Sequence, residues 1–387
     1  MASPKTRRTR IVCISDTHNH AFGLPKGDVL IHAGDITNQG SYSELSKAIK
    51  WLEDADFQAK IVVAGNHDIT LDAEFYTKHG HLFHNQVSQN PASCLALVAS
   101  SPSVTYLAHE ATTIRLQSPT GPRTEFTVFG SPYSPRHGVW AFHYDSPNGP
   151  SSADADLTAL WERIPLQADI VVTHTPPRTH RDDADDGERT GCEALRRALW
   201  RVRPKLAVCG HIHDGRGAER VTWDLHEPNV AYAEKGTILW TDAGEGNKKL
   251  SLIDLTGKHS RPLDNDGTDP SRTRTSTAPS SEHHDLAQSS PSPASPSSAG
   301  DTLEPGSRTE AGREVACKGH GLAGDPNAAP WDCEALVGRM GRKETCVVNA
   351  AIMKSSYPHA GGKKFHKPIV VDVDLPVWEQ ASTDDVA

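Results

Sequence analysis

Asp16-Thr17-His18, Gly34-Asp35, Gly65-Asn66-His67-Asp68, His174 and Gly210-His211-Ile212-His213 place carboxylate, imidazole and amide side chains in five short segments of one chain. Oxygen and imidazole donors together suit divalent ions of intermediate hardness such as Mn²⁺, Fe²⁺, Co²⁺ or Zn²⁺, and the lack of a thiolate among them argues against a structural zinc site. If Asp35 bridges, two sets of ligands result: Asp16, His18, Asp35 and His213 for one ion, and Asp35, Asn66, His174 and His211 for the other. Two ions about 3.5–4 Å apart lower the pKa of a bridging water and hold the phosphoryl oxygens of an in-line displacement. That is the chemistry of a hydrolase supplied with hydroxide at neutral pH. His67 adjoins a ligand without being assigned as one, which frees it to protonate a leaving alkoxide or to stabilise phosphoryl charge. Asp68 is the neighbouring candidate for orienting that imidazole.

Each segment follows an apolar run rich in β-branched residues: Ile11 to Ile14, Val29 to Ile31, Ile61 to Val63, Ile170 to Val172, and Leu206 to Cys209. Short runs closed by Gly or polar residues read as strands buried on both faces, and ligands of such sheets collect at strand ends. Any one segment alone would more often be a turn or a satisfied histidine; five of them, each behind a strand-like run, point to one site. Leu45, Ala48, Ile49 and Leu52 predict a helix over Ser41 to Leu52, and Glu193 to Arg203 repeats the spacing before Pro204. Residues 104–107, 113–116 and 126–129 alternate as paired strands of a second sheet.

In this order, D-x-H, G-D, G-N-H-D, H and G-H-x-H, the blocks resemble the calcineurin-like metallophosphoesterases. A closer likeness, to the metallophosphoesterase-domain-containing proteins of animals, is carried by Val12-Cys13-Ile14-Ser15-Asp16-Thr17-His18, Ile61-Val62-Val63-Ala64-Gly65-Asn66-His67, Thr173-His174-Thr175-Pro176-Pro177, Gly191-Cys192-Glu193-Ala194-Leu195 and Val202-Arg203-Pro204-Lys205-Leu206. It covers residues 10–216 and, more weakly, 345–376. The resemblance implies an α/β fold, a four-layer αββα sandwich of two mixed sheets flanked by helices, with two metals and phosphodiester hydrolysis. Some members of that subfamily carry Gly where this chain has His211 and are poor catalysts. Thr175 stands where relatives often have Gly, at the pocket wall.

The chain has 387 residues, a net charge of −9 and 36% hydrophobic residues, the last diluted by a polar stretch. The charge disfavours general nucleic-acid binding and leaves the metals as the main positive charge at the pocket. No apolar run is long enough to cross a bilayer, and Met1 to Arg10 is basic and polar without a signal-like segment behind it, so an intracellular, cytoplasmic protein is expected. Seven scattered cysteines, Cys13, Cys94 and Cys209 among apolar neighbours, fit free thiols in a reducing compartment, and Cys317, Cys333 and Cys346 lack zinc-like spacing. His20, His32, His79, His81, His84, His109, His137 and His143 read as surface or capping residues, with His20 and the Arg136-His137 pair the ones near enough to the blocks to test. Asp182 to Glu188 reads as a solvated turn.

From Gly257 to Gly312 the composition turns to Ser, Pro, Thr, Ala and charge, which predicts disorder. Thr345 to Ala351 and Pro368 to Pro376 then read as two strands. In the resembled subfamily such strands follow the last histidine block and close the sheet. The expected organisation is therefore a core at 1–216, one large loop insertion at 217–344 able to take a protein partner, and core-completing strands at 345–387, with Asn349 near the site edge. The expected function is a two-metal phosphodiesterase, with Mn²⁺ ahead of Fe, Zn, Co or Mg, acting on a small or nucleotide-like ester. A phosphomonoesterase or protein phosphatase is disfavoured because Gly34-Asp35 is followed by Ile36-Thr37-Asn38-Gln39-Gly40 rather than an Asp-Arg-Gly block. A nucleotide-binding scaffold with little activity would show a lost ligand, and none is lost.

Overall fold

The apolar runs ahead of the polar blocks are all strands, buried where they approach the site. The computed structural model describes residues 5–146, 155–184, 187–224, 234–242, 246, 249–265, 342–355, 359 and 362–378. In chain order its strands are β1 (Thr6–Ile14), β2 (Val29–Ala33), β3 (Ala59–Val63), β4 (Thr105–Tyr106), β5 (Glu110–Arg115), β6 (Glu125–Ser131), β7 (Ser134–Pro135), β8 (His143–Tyr144), β9 (Ile170–Thr173), β10 (Leu206–Cys209), β11 (Gly217–Trp223), β12 (Glu234–Leu239), β13 (Ser251–Asp254), β14 (Glu344–Asn349) and β15 (Ile369–Pro376). The helices are α1 (Tyr42–Glu53), α2 (Ala73–His79), α3 (Pro91–Ala99), α4 (Ala155–Glu162) and α5 (Glu193–Val202).

Two sheets result, ordered β13-β15-β1-β2-β3-β4 and β12-β11-β14-β10-β9-β6-β5, with β7 and β8 forming a small separate ribbon. Alternate side chains of each strand face opposite ways, so three apolar layers form. Ile11, Ile31 and Val63 of the first sheet meet Val128, Val172, Val208 and Val348 of the second between the sheets. Val12, Leu30 and Val62 turn outward against Leu45, Ile49 and Leu52 of α1 and Phe75 of α2. Val171, Ala207 and Val347 do the same against Trp161 of α4 and Leu195 and Leu199 of α5. The fold is the expected four-layer αββα sandwich of two mixed sheets.

Local chemistry sets the helix ends. Ser41 caps α1 in a capping box, its hydroxyl accepting from Glu44 N–H at 3.3 Å while its own N–H donates to Glu44 Oε2 at 2.9 Å. Cys192 caps α5 through Sγ, 3.3 Å from Leu195 N, and the left-handed Arg203 (φ 50°) ends it ahead of Pro204.

The stretch 217–344, expected as one loop insertion, contributes strands to both sheets. β11 pairs antiparallel with β14, and β13 pairs parallel with β15. Glu219 and Arg220 hide β11 by breaking its apolar run, yet Ala218, Val221 and Trp223 are buried. The four residues of β13 are too few to show a period. Of the stretch 257–312 expected to be disordered, residues 257–265 are held in place, Asp264 N–H donating to Glu344 Oε2 and Asn265 Nδ2 to Glu344 O, each at 2.7 Å, while residues 266–341 lie outside the described residues. β14 sits between β10 and β11, and β15 between β13 and β1, so the segments beyond that part are interior strands. Arg10 Nε and Nη2 each donate to Asp372 at 2.7 Å, a paired contact that ties β1 to β15. Among the described residues no helix is long and apolar enough to cross a membrane. Cys13, Cys94, Cys192, Cys209 and Cys346 are buried free thiols.

Candidate metal centre

β1, β2 and β3 run parallel, as do β9 and β10, so their carboxyl ends lie along one edge of the sandwich. Asp16, Asp35, Asn66, His174 and His211 follow those ends within three residues. The backbone there is unusual: Asp16, His18, Asn19, Asp35 and His211 all have left-handed φ, between 44° and 67°. For residues with a Cβ this costs about 1–3 kcal/mol each, and such strain collects at functional sites. Surrounding bonds impose it, with Asp16 N–H donating to Gly34 O at 2.9 Å, His18 N–H to Asp35 O at 3.1 Å and Gly210 N–H to His174 O at 3.0 Å. Gly34 (φ +99°) must be glycine on two counts, since a Cβ there would also run into His174 Nδ1.

The two carboxylates lie at the centre, buried, with imidazoles around them. His213 Nε2 is 3.3 Å from Asp16 Oδ1, His174 Nε2 is 3.4 Å from Asp35 Oδ1, and His18 Nε2 is 3.8 Å from Asp35 Oδ2. His174 Nε2 also lies 2.9 Å from Asn66 Oδ1, while its Nδ1 donates to Ala33 O at 2.9 Å. That outer bond fixes the ring and leaves Nε2 as the ligand atom. His211 packs edge-on against His174, with centroids 4.9 Å apart, and its N–H donates to Asp16. Asp16, His18 and His213, and Asp16, Asp35 and His174, each bring ligand atoms within 4.8 Å of one another.

Charge follows from these neighbours. Burial works against ionisation of Asp16, but His213 and His174 prevail and hold it down at about 2. Asp35 is likewise held well below the carboxylate range by His174, His67 and His18 despite burial. Burial opposes a charge on His174, yet Asp35 and Asp16 raise it to about 9; burial pushes His18 down to about 4 and His211 down to about 3. Two buried carboxylates whose close ionic partners are imidazoles, with burial keeping His18 and His211 beside them neutral, fit divalent cations, which would displace the compensating protons.

His67 stands at the rim. Its N–H donates to Asp35 Oδ1 and its Nδ1 to Asn38 O, both at 2.8 Å. The ring is edge-on to His18 at 4.7 Å and lies tilted against Trp140, with centroids 3.8 Å apart. Asp68, expected as its orienting partner, faces the other way. Its buried carboxylate accepts from Gly65 N at 2.8 Å, Ile36 N at 3.2 Å, Thr37 N at 2.9 Å and Thr37 Oγ1 at 2.6 Å. Burial and the Asp35 charge push its pKa up to about 6. Asp68 therefore ties the second and third ligand loops together, and Asn38 and Trp140 orient the imidazole. Asn349 braces the last loop, donating to Ile212 O at 2.8 Å and Arg181 O at 3.0 Å.

Three expectations about other residues change. His32 and His109 are buried, not superficial: His32 Nε2 is 2.9 Å from Thr17 Oγ1 behind the ligand loop, and His109 lies 2.9 Å from Ser131 Oγ. Arg136 pairs with Asp145, and His137 beside it is exposed. Asp182 is buried, accepting from Gly191 N at 3.0 Å and Thr179 N at 3.1 Å instead of facing solvent. His20 does reach the rim, stacked on Phe365 at 3.7 Å. Trp140, in the turn between β7 and β8, carried no sequence signal.

The family model for calcineurin-like phosphoesterases matches residues 9–215, which hold every one of these candidate ligands. The chain belongs to the calcineurin-like phosphoesterase family. Within that family it is 37% identical over 217 residues to human "Metallophosphoesterase domain-containing protein 1", covering 54% of this chain and 62% of that protein. It is 34% identical over 220 residues to "UPF0046 protein T07D4.2" of Caenorhabditis elegans, covering 55% and 53%. A further match, 41% identical over 233 residues, is to "Probable rhamnogalacturonate lyase C" of Emericella nidulans, covering 60% of this chain and 20% of that one. The chain thus spans less than two thirds of each of these relatives.

Proposed function

We propose that this phosphoesterase-family chain is a dinuclear, metal-dependent phosphodiesterase acting on small or nucleotide-like diesters. The observation that carries the reading is the intact ligand set. Asp16, His18, Asp35 and His213 would hold one ion, and Asp35, Asn66, His174 and His211 the other, with Asp35 shared. Bound ions of this kind supply a nucleophilic hydroxide at neutral pH and charge to draw electrons from the phosphoryl group.

The protein's own groups do the rest. Asn38 O takes the proton on His67 Nδ1, so the opposite nitrogen, Nε2, can carry a proton to the leaving oxygen. Trp140 covers one face of that ring and limits its rotation and its access to water. Asn66 Oδ1 and His174 Nε2 lie 2.9 Å apart, which keeps both aimed at the same point. A diester suits this site better than a monoester because among the described residues no arginine pair converges on the centre to grip a dianion; Arg181 and Arg216, at the last ligand loop, are turned to backbone carbonyls.

The test is turnover of an aryl phosphodiester against the matching monoester under Mn²⁺, Fe²⁺, Co²⁺, Zn²⁺ and Mg²⁺, with metal content measured on the same samples. Two ions per chain and a faster diester, with Mn²⁺ the best activator, are expected. Activity that resists chelation, or full activity with well under two ions, would overturn the reading.

A further inference from the structure

The geometry points to Lys363 as a substrate-binding residue of this site, one that grips a non-bridging phosphate oxygen at its rim. This rests on the phosphoesterase reading above and deepens it. Lys363 lies beyond the Ser- and Pro-rich part of the chain, in the segment between β14 and β15, and reaches back to the first two ligand loops. Its Nζ is 3.4 Å from His18 O and 3.3 Å from Asn38 Oδ1. Those two residues border the centre directly: His18 is a ligand, and Asn38 O holds His67 at 2.8 Å.

Three observations argue for an anion there. First, both acceptors are neutral and their distances long, and among the described residues no carboxylate lies within ion-pair distance of the ammonium, Glu44 acting on it only at longer range. Second, the segment is anchored where the lysine needs it. Phe365 stacks on His20 at 3.7 Å, Met353 pairs with Phe365 in a bridge, and His366 N–H donates to Ile352 O at 2.7 Å. Third, the lysine is on the same rim as a centre built to hold two divalent cations. A cation kept beside other cations, in a chain of net charge −9 with acidic side chains available, is tolerated best when an anion lies between them. A phosphoryl group bound to the centre would be that anion, and the single positive charge of one lysine fits the single negative charge of a diester.

Lys363→Met and Lys363→Arg in the full, Mn²⁺-loaded chain test this, with inorganic phosphate as the probe in titration calorimetry and an aryl phosphodiester as substrate. The Met variant should bind phosphate about five- to tenfold more weakly, the scale of one partly exposed charge contact, with unchanged metal content. The KM for the diester should rise by a similar factor while kcat stays within about twofold, and Arg should restore both. Equal phosphate binding in the Met variant and the unaltered chain would overturn the assignment, as would loss of metal or an Arg variant no better than Met. An unaltered chain that binds phosphate through Lys363 yet turns over no diester would instead reject the phosphodiesterase reading and leave the lysine's role standing.

Discussion

Among the described residues, two buried clusters of histidine and carboxylate invite comparison, one at the ends of β1 and β2 and one beside β11 and β12, and the first alone has the marks of a metal centre. Around His180, Nδ1 meets Glu219 and Nε2 lies 3.0 Å from Glu234, which Arg196 Nε also contacts at 2.7 Å. Both ring nitrogens are taken by the chain itself, and the charges nearly balance. Around Asp16 and Asp35 the imidazoles instead outnumber the acids, four of the five left-handed residues there (Asp16, His18, Asp35 and His211) are candidate ligands, and ring nitrogens converge without each having a carboxylate of its own. Burial and residue type are common to both. Convergence of unused lone pairs, held by strained backbone, is what separates a site from a clasp.

The sharpest way to break the comparison is Asp35→Asn. It removes the charge shared by both ligand sets, so both ions should be lost together and turnover should fall further than the roughly 10²–10⁴-fold expected for a lost general acid. Metal analysis and diester turnover on one sample check it. His67→Ala should show that smaller loss with metal content nearly unchanged; emptied metal sites in this variant would put His67 among the ligands, where its place near His18 and Asp35 would allow it. His211→Gly should weaken one ion only, by at least about 10–100-fold in affinity, the scale known for lesser changes around a metal. Titration with Mn²⁺ should then restore most of the rate, and full activity at limiting metal would make His211 dispensable.

The smallest effect on activity belongs to His180→Gln, and it falls on stability. Burial opposes a charge on His180, but Glu219 and Glu234 raise its pKa to about 9. A raised folded-state value means the clasp stabilises fully below the unfolded value of about 6.5 and loses that contribution as pH rises through about 9. Denaturant unfolding of metal-loaded chain should therefore show stability falling from pH 6.5 to 9, and His180→Gln should flatten that slope and cost about 1–3 kcal/mol at pH 6.5. Unchanged slope in the variant would show that the clasp stays neutral.

The candidate ligands were legible as a group because their chemistry is local: a polar block at the end of a buried run needs no knowledge of its partners. The helices of residues 42–53 and 193–202 were legible for the same reason, through spacing and caps. What escaped depends on contacts between distant segments. Asp68 looks like a partner for its neighbour His67, but its oxygens go to Ile36 and Thr37. His32 reads as superficial only until the strand around it is seen covered on both faces. β11 and β13 look like insertion because one carries charges and the other is four residues long, and each becomes a strand only beside β14 or β15. Lys363 has no motif, and only the path of the chain brings it to His18.

The pairing of β1 with β15, Thr6 against Pro376 in register, has a consequence in time. On a ribosome, all seven candidate metal ligands emerge while β15, the outer neighbour of β1, has yet to be made, so the first sheet waits with an open inner edge through most of synthesis. Closing so long a loop late makes folding slow and leaves that edge available to other chains. Early metal capture by the ligand loops would steady the nascent half, and the yield of folded protein should therefore depend on metal supplied during synthesis rather than after it.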